Sequence, residues 1–413
     1  MERIGVALEE AVRIIEESIC PVQNTEAAAV EAADGRILAE DVYASMDQPP
    51  FPRSPLDGFA FRSSDVEDAC EAAPAVLRVN QIIYAGEWWK TSVGPGQAAR
   101  IMTGAPMPEG ADCVIRQEET NWAEDGSGAD DCIGFQVRIS HPMKPYQNYC
   151  FQGEDVKKGT LLLKKGSRIG YVEQGILASA GYQQVQVYKK PKVSLFVTGD
   201  ELWSGSEPLP PGKIYDANMH LLTGRLKELG YEPVTARMLG DDPELVAEEI
   251  RSALAQSDLI VTCGGVSVGD KDIFHQVLPI LGAERKFWRV RVKPGTPAMF
   301  AVCGQTPMIH LSGNPFAALA TFELFVRPAL YKLTGDERVR VKYAKAVLAE
   351  DFPKTGGRRM LRARLEGQQV HIPPTGQHSS GMLHSMRGCN CLIDLPAVKE
   401  PVKAGEQVDV ILL

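Results

Sequence analysis

The sequence lacks several features, and each absence removes a class of function. No apolar run approaches the roughly 20 residues that a membrane-spanning helix needs. Positive charge is not in excess: 44 Lys and Arg stand against 53 Asp and Glu, a net charge of -9. That balance argues against broad binding to nucleic acid or to an anionic membrane, although a local basic pocket for an anion stays open. The nine cysteines are odd in number and scattered. No Cys-x-x-Cys occurs, and Cys389 and Cys391 stand too close for a usual zinc half-site. They read as reduced, buried thiols. Met1-Glu2-Arg3 leads into an amphipathic segment instead of an apolar signal core, so the expected location is the cytoplasm. The seven histidines show no ligand spacing, and no Ser/His/Asp constellation is visible.

What is present is a chain of 413 residues, 44% hydrophobic and 23% charged, long enough for two to four globular domains. Leu8, Val12, Ile15 and Ile19 recur at helical spacing and predict a surface helix with one buried stripe. From Gln48 to about His141, short apolar runs such as 75–79 and 113–116 alternate with Gly and Pro, which predicts a mostly β module. Its acidic stretch, residues 124–131, reads as an exposed hairpin or loop. Residues 189–332 change character. Residues 192–197 form a buried-strand pattern, and Asp216 caps a helix with Met219, Leu222, Leu226 and Leu229 on one face, stopped by Gly230. Residues 231–238 read as a strand. Asp242-Pro243 opens a second helix as cap and first-turn proline, with Val246, Ile250 and Leu254 inward. Residues 258–263 give the next strand. Such alternation predicts a parallel sheet covered on both faces, with ligands at the carboxyl ends of its strands. The remaining C-terminal residues read as a small β barrel or sandwich.

The loop Gly264-Gly-Val-Ser-Val-Gly-Asp-Lys-Asp272 follows a strand and precedes a helix. Its glycines, Gly264, Gly265 and Gly269, with Ser267, suit close approach of backbone amides to an anion. The spacing is neither a Walker A loop nor a dinucleotide fingerprint. A plain tight turn would explain the glycines equally well, but carboxylates beside a phosphate site call for a hard cation between them. Carboxylates recur at other predicted strand ends: Thr198-Gly-Asp-Glu-Leu202 and Gly240-Asp-Asp242. One such cluster is ordinarily a helix cap, a duty Asp242 also has. Three along one sheet edge, without a convincing His or Cys set, imply magnesium. Val292-Lys-Pro-Gly-Thr-Pro297 places Lys293 at a further strand end, either as a solvated lysine or as a point charge for an oxyanion. In Leu311-Ser-Gly-Asn-Pro315, Asn314 fits a helix cap or a ligand contact, ahead of an apolar helix over 316–331. The stretch Pro49-Pro-Phe-Pro-Arg-Ser-Pro-Leu-Asp-Gly-Phe-Ala-Phe61 is too proline-rich for regular structure. It holds Ser54 and Asp57 in a stiff loop, where a surface turn cornered on Asp57-Gly58 is the plain reading. Ile101-Met-Thr-Gly-Ala-Pro-Met-Pro108 also fits a turn.

Taken together, these segments resemble the molybdopterin molybdenumtransferase family: bacterial MoeA and the E domains of the plant insertase and gephyrin. The most specific pieces are Pro49-Pro-Phe with Asp57-Gly58, Met102-Thr-Gly-Ala-Pro106, Gly153-Glu-Asp155, Gly264 to Asp272, Lys293-Pro-Gly and Gly313-Asn-Pro315. Their order and spacing run the length of the chain. The resemblance implies a multidomain α/β plus β protein. It would have an elongated connecting domain (residues 1–45 and 142–188) and a β-rich substrate domain (46–141). A central doubly wound α/β domain like that of molybdopterin adenylyltransferases (189–332) and a C-terminal β barrel (333–413) would complete it. The implied function is insertion of molybdate into adenylated molybdopterin with release of AMP, dependent on Mg2+. The implied assembly is a homodimer whose cleft joins the α/β domain of one subunit to the β-rich module of the other. Molybdopterin adenylyltransferase and molybdoenzyme-maturation proteins are the candidate partners.

Carried over by resemblance, Asp57 and Thr103 face the cleft from the β-rich module. Glu201, Asp241 or Asp242, and Asp272 take metal- and phosphate-associated positions, and Lys293 binds an oxyanion. Arg362 and Ser385, in Leu361-Arg-Ala-Arg364 and Met382-Leu-His-Ser-Met386, resemble barrel residues that hold molybdate. Asp155 matches a family carboxylate of unspecified role. Three positions depart from the pattern. Thr296 stands where many relatives have a second lysine, Cys150-Phe-Gln152 replaces the usual arginines, and Ser312 replaces a common proline. Two rival readings are adenylyl transfer to the pterin, which needs ATP turnover, and a gephyrin-like scaffold.

Overall fold

A computed structural model describes residues 3–125, 132–205, 208–267, 272–353, 355–374, 376–397 and 400–413. Gly269 and most of the acidic stretch 124–131 lie outside them. The chain divides into two compact units, Met1–Ala39 with Gly166–Gly170 and Val185–Leu413, and Glu40–Lys165 with Tyr171–Gln184. The first residues, assigned above to a connecting domain, contribute the strand Ile4–Val6 to the main sheet and the helix Leu8–Ser18 to its core. That helix buries Leu8, Ala11, Ile14 and Ile15, and Val12 packs half-buried against the core, so the expected stripe is present and is widened by Ala11 and Ile14. Ile19, just past its end, is also buried.

The larger unit is built on a seven-stranded sheet. Its order is Ile4–Val6, Glu284–Val290, Met299–Cys303, Thr306–Leu311, Leu259–Cys263, Val193–Thr198, Thr235–Leu239. The last four strands are mutually parallel, and two of them, Val193–Thr198 and Leu259–Cys263, are buried at every residue. That is the pattern of strands covered on both faces. The sheet is not wholly parallel. Met299–Cys303 runs antiparallel to both neighbours, and the link from Cys303 to Thr306 is too short for a crossover. The strand expected over 231–238 is only Thr235–Leu239, because Pro233 has no amide hydrogen to give a ladder.

Helix ends follow the chain's own chemistry. Asp216 Oδ1 accepts from the amides of Asn218 and Met219 at the start of Asn218–Glu228. Asp242 Oδ1 accepts from Glu244 and Leu245 at the start of Pro243–Leu254. The apolar helix after Asn314 is interrupted. Pro315–Thr321 passes through a turn of π-helix, Phe322–Val326, into Arg327–Thr334. Glu323 sits there fully buried, held by Arg225 and Arg327, and Arg327 also donates to the carbonyls of Val339, Arg340 and Leu412. This network ties the α/β part to the C-terminal strands, which close into a barrel of Lys342–Leu348, Gln369–His371, Arg359–Glu366, Cys391–Leu395 and Gln407–Leu412.

The smaller unit carries a five-stranded sheet ordered Cys113–Arg116, Gly58–Phe61, Gln97–Ile101, Ala75–Ile83, Gln136–Ile139. Phe59 and Phe61 fill one face with Val79, Ile115 and Val137. Gly58, expected at a turn corner, instead opens the Gly58–Phe61 strand, where any side chain would overlap the carbonyl of Ile115. Among the described residues no helix is long and apolar enough to cross a membrane.

Candidate active site

The carboxyl ends of the strands in the larger unit open onto one cavity of about 930 Å3. Every strand-end motif reaches it. Thr198 and Glu201 follow Val193–Thr198, Asp241 follows Thr235–Leu239, and Gly264, Gly265, Ser267 and Asp272 follow Leu259–Cys263. Ser312 and Asn314 follow Thr306–Leu311, and Lys293 to Pro297 follow Glu284–Val290. The barrel adds to the lining through Phe352, Arg359 to Leu361, His378 and Ser380.

Backbone shape makes room for a ligand. Gly264 has φ +103°, and a Cβ on it would overlap the carbonyl of Thr198. The strand end therefore closes tightly with only backbone facing the cavity. Gly295 has φ +95°, and a Cβ there would overlap Thr321 Cγ2, so Lys293-Pro-Gly lies directly on the helix Pro315–Thr321. Asn314 occupies that helix's cap position, yet its side chain makes no cap hydrogen bond and instead lines the cavity.

Charge is sorted along the cavity. The carboxylates Glu201, Asp241 and Asp272 follow three adjacent strands, while Lys293 follows a strand three to five places away in the sheet. At a strand spacing of about 4.8 Å, the strand that leads to Lys293 ends roughly 14 to 24 Å from those that lead to the carboxylates. Asp241 Oδ2 accepts from the amide of Asp200, and Asp200 Oδ1 accepts from the amide of Asp241, which locks the two loops together. Asp242, expected among the metal ligands, does not line the cavity; its carboxylate is spent on the helix cap. Among the described residues no three His, Cys, Asp or Glu side chains converge as a metal site. Two cavity residues carry buried polar atoms with no protein partner, Thr198 Oγ1 and Arg359 Nε.

In the smaller unit, Asp57 Oδ1 accepts from both the amide and the hydroxyl of Thr103, each at 2.7 Å. The Thr103 amide, then its hydroxyl, then the charge of Arg100 hold the Asp57 carboxyl below its ordinary pKa against a small cost of burial. Ser54, expected to touch substrate, is fully buried, and its hydroxyl donates to the carbonyl of Leu56 at 2.6 Å. Its role is to hold the proline-rich loop.

Comparison with known proteins gives consistent matches along the whole chain. Residues 6–181 match the family model described as MoeA N-terminal region (domain I and II). Residues 194–332 match "Probable molybdopterin binding domain", and residues 345–413 match MoeA C-terminal region (domain IV). A molybdopterin molybdenumtransferase of Staphylococcus epidermidis is 36% identical over all of this chain and 96% of its own length. That of Bacillus subtilis is 35% identical over all of this chain and 95% of its own. The chain belongs to the molybdopterin molybdenumtransferase family. A solved MoeA protein from Pyrococcus horikoshii, 32% identical and covering 99% of both chains, superposes with a TM-score of 0.84.

Within this family member the barrel residues expected to hold molybdate have other duties. Arg362 is fully buried, with its guanidinium 3.8 Å over the ring of Phe316. It donates to the carbonyls of Ser379 and Met382 and to the hydroxyl of Ser385. Burial pushes its pKa down to about 10, so it is still charged near neutral pH. Neither Arg362 nor Ser385 lines the large cavity. Together they clamp the segment that presents His378, Ser380 and Gly381 to it. Among the positions that depart from the molybdopterin molybdenumtransferase pattern, Thr296 turns its hydroxyl back to the carbonyl of Val292 at 2.7 Å. Gln152 donates to Asp47. Ser312 lies at the cavity wall, and its carbonyl accepts from Cys263.

Proposed function

We propose that this chain transfers molybdenum from molybdate to adenylated molybdopterin, with hydrolysis of the adenylate and release of AMP. The observation that carries this reading is the sorting of charge in one cavity, with carboxylates at one end and Lys293 at the other. An oxyanion binds beside Lys293, while the phosphates of the adenylate lie at the glycine-rich strand end, where the absence of side chains at Gly264 and Gly265 leaves room for them.

Carboxylates near phosphates require a hard cation, and the donor set fits Mg2+. Magnesium takes one or two protein carboxylates and completes its shell with phosphate oxygens and water, so no cage of three side chains is needed. One or two of Glu201, Asp241 and Asp272 would hold it, and it would neutralise charge on the pyrophosphate. The residues themselves work by position. Lys293 fixes charge on the transferring oxygens, and Asn314 and Ser267 orient polar groups.

The same proposal includes a cytoplasmic homodimer, in which Asp57 and Thr103 of one protomer complete the cavity of the other. An enzyme that adenylates the pterin must supply the substrate. The test is to incubate the protein with adenylated molybdopterin and molybdate, separate the pterin, and measure its molybdenum content. Molybdenum bound one to one with pterin is expected. Pterin that stays metal-free while AMP accumulates would contradict the transfer.

A further inference from the structure

The cavity has a second cation that neither the family motifs nor the sequence reading points to. Four arginines lie in or just before the barrel strand Arg359–Glu366, and three are committed elsewhere. Arg358 spends its donors on Asp394 and Glu9. Arg362 is clamped under its loop, and Arg364 pairs with Glu366 at 2.7 Å on the surface. Arg359 lines the cavity and makes no ion pair among the described residues. Among the described residues its side chain makes one hydrogen bond, a long one from Nη2 to the carbonyl of Thr355 at 3.4 Å, and its buried Nε has no partner. An unpaired buried donor is unfavourable, and native sites tolerate one where a ligand or water supplies the acceptor.

Position adds to this. Residues 293 and 359 are bridged as parallel backbone neighbours, with the amide of Lys293 donating to Arg358 and that of Met360 donating to Lys293. Two cations therefore stand side by side on one wall. Thr296, three residues from Lys293, offers no charge and has its hydroxyl turned inward.

We propose that Arg359 and Lys293 together form a tetrahedral-oxyanion site, with Arg359 supplying from the barrel the second positive charge that position 296 does not. This rests on the transferase reading for the identity of the anion but not for the existence of the site. A planar guanidinium can grip two oxygens of a tetrahedral dianion at once, and a lysine point charge beside it adds attraction without geometric demand.

The test is calorimetric binding of molybdate and, separately, of AMP to the full chain, wild type, Arg359→Ala, Arg359→Lys and Arg359→Ala with Thr296→Lys. Arg359→Ala is expected to weaken one of the two ligands about tenfold with an unchanged melting temperature. Loss of molybdate alone marks the site as the metal-oxyanion site, and loss of AMP alone marks it as the nucleotide phosphate site. Arg359→Lys is expected to recover part of the affinity, and Thr296→Lys to restore part of it by returning a cation to the same wall. Unchanged binding of both ligands to Arg359→Ala would overturn the proposal while leaving the transferase reading intact. A wild-type chain that binds neither ligand would overturn both.

Discussion

Single residues in this chain divide between those that shape the cavity and those that face it, and the divide is often one position wide. Asp241 and Asp242 are adjacent, yet one lines the cavity and the other caps a helix. Asp242→Ala should therefore cost about 1 kcal/mol of stability, the usual value of a cap, with near-normal turnover. Asp272→Asn should abolish turnover and leave the denaturation midpoint in place. Measuring both variants by denaturant melts and by turnover separates the roles; the reverse pattern would contradict the assignment. Asp57 allows a titration test. Its carboxyl is held below the ordinary value mainly by the Thr103 amide and hydroxyl. The stabilisation from that pairing is complete above the unfolded-state pKa and is lost as pH falls through the lower folded value. Thr103→Val should raise the Asp57 pKa toward the unperturbed range in a carboxyl NMR titration. No movement would mean that the hydroxyl does not contribute.

Secondary elements show why part of the fold could be read from sequence and part could not. Asp216 and Asp242-Pro243 are local signals, and the helices they announce are present because capping is decided within four residues of chain. The strand Ile4–Val6 gives no such signal: three residues of mixed burial acquire their role only by pairing with Glu284–Val290, far along the chain. Arg362 was legible as an arginine of the barrel, but whether it points into the cavity or under Phe316 depends on packing that no motif encodes. Arg359 was missed for the same reason, since its distinction is the lack of a partner. Glu323 is a third case, a carboxylate inside an apolar helix whose meaning appears only with Arg225 and Arg327 around it. Glu323→Gln would leave two buried or half-buried guanidinium groups short of charge, and a loss of about 3–5 kcal/mol is expected. Chemical denaturation followed by fluorescence checks it; a change below about 1 kcal/mol, the scale of an exposed pair, would show that the network is solvent-screened.

At the scale of the whole molecule, the proposed assembly predicts how inactive protomers behave when mixed. If Asp57 of one subunit serves the cavity of its partner, unfolding and refolding Asp57→Asn with Asp272→Asn should give heterodimers with one intact site and one doubly damaged site. Random pairing then returns about a quarter of wild-type activity. A mixture as inactive as its parents would contradict a shared site. The central claim is that one cavity brings a nucleotide-bearing pterin and a metal oxyanion together and couples their fates. The most direct measurement is AMP release from adenylated molybdopterin by the purified chain, with molybdate, magnesium and ATP each present or withheld. Release that requires molybdate and magnesium and ignores ATP is the predicted result. Equal release without molybdate, or adenylation of the pterin from ATP as the main activity, would contradict it.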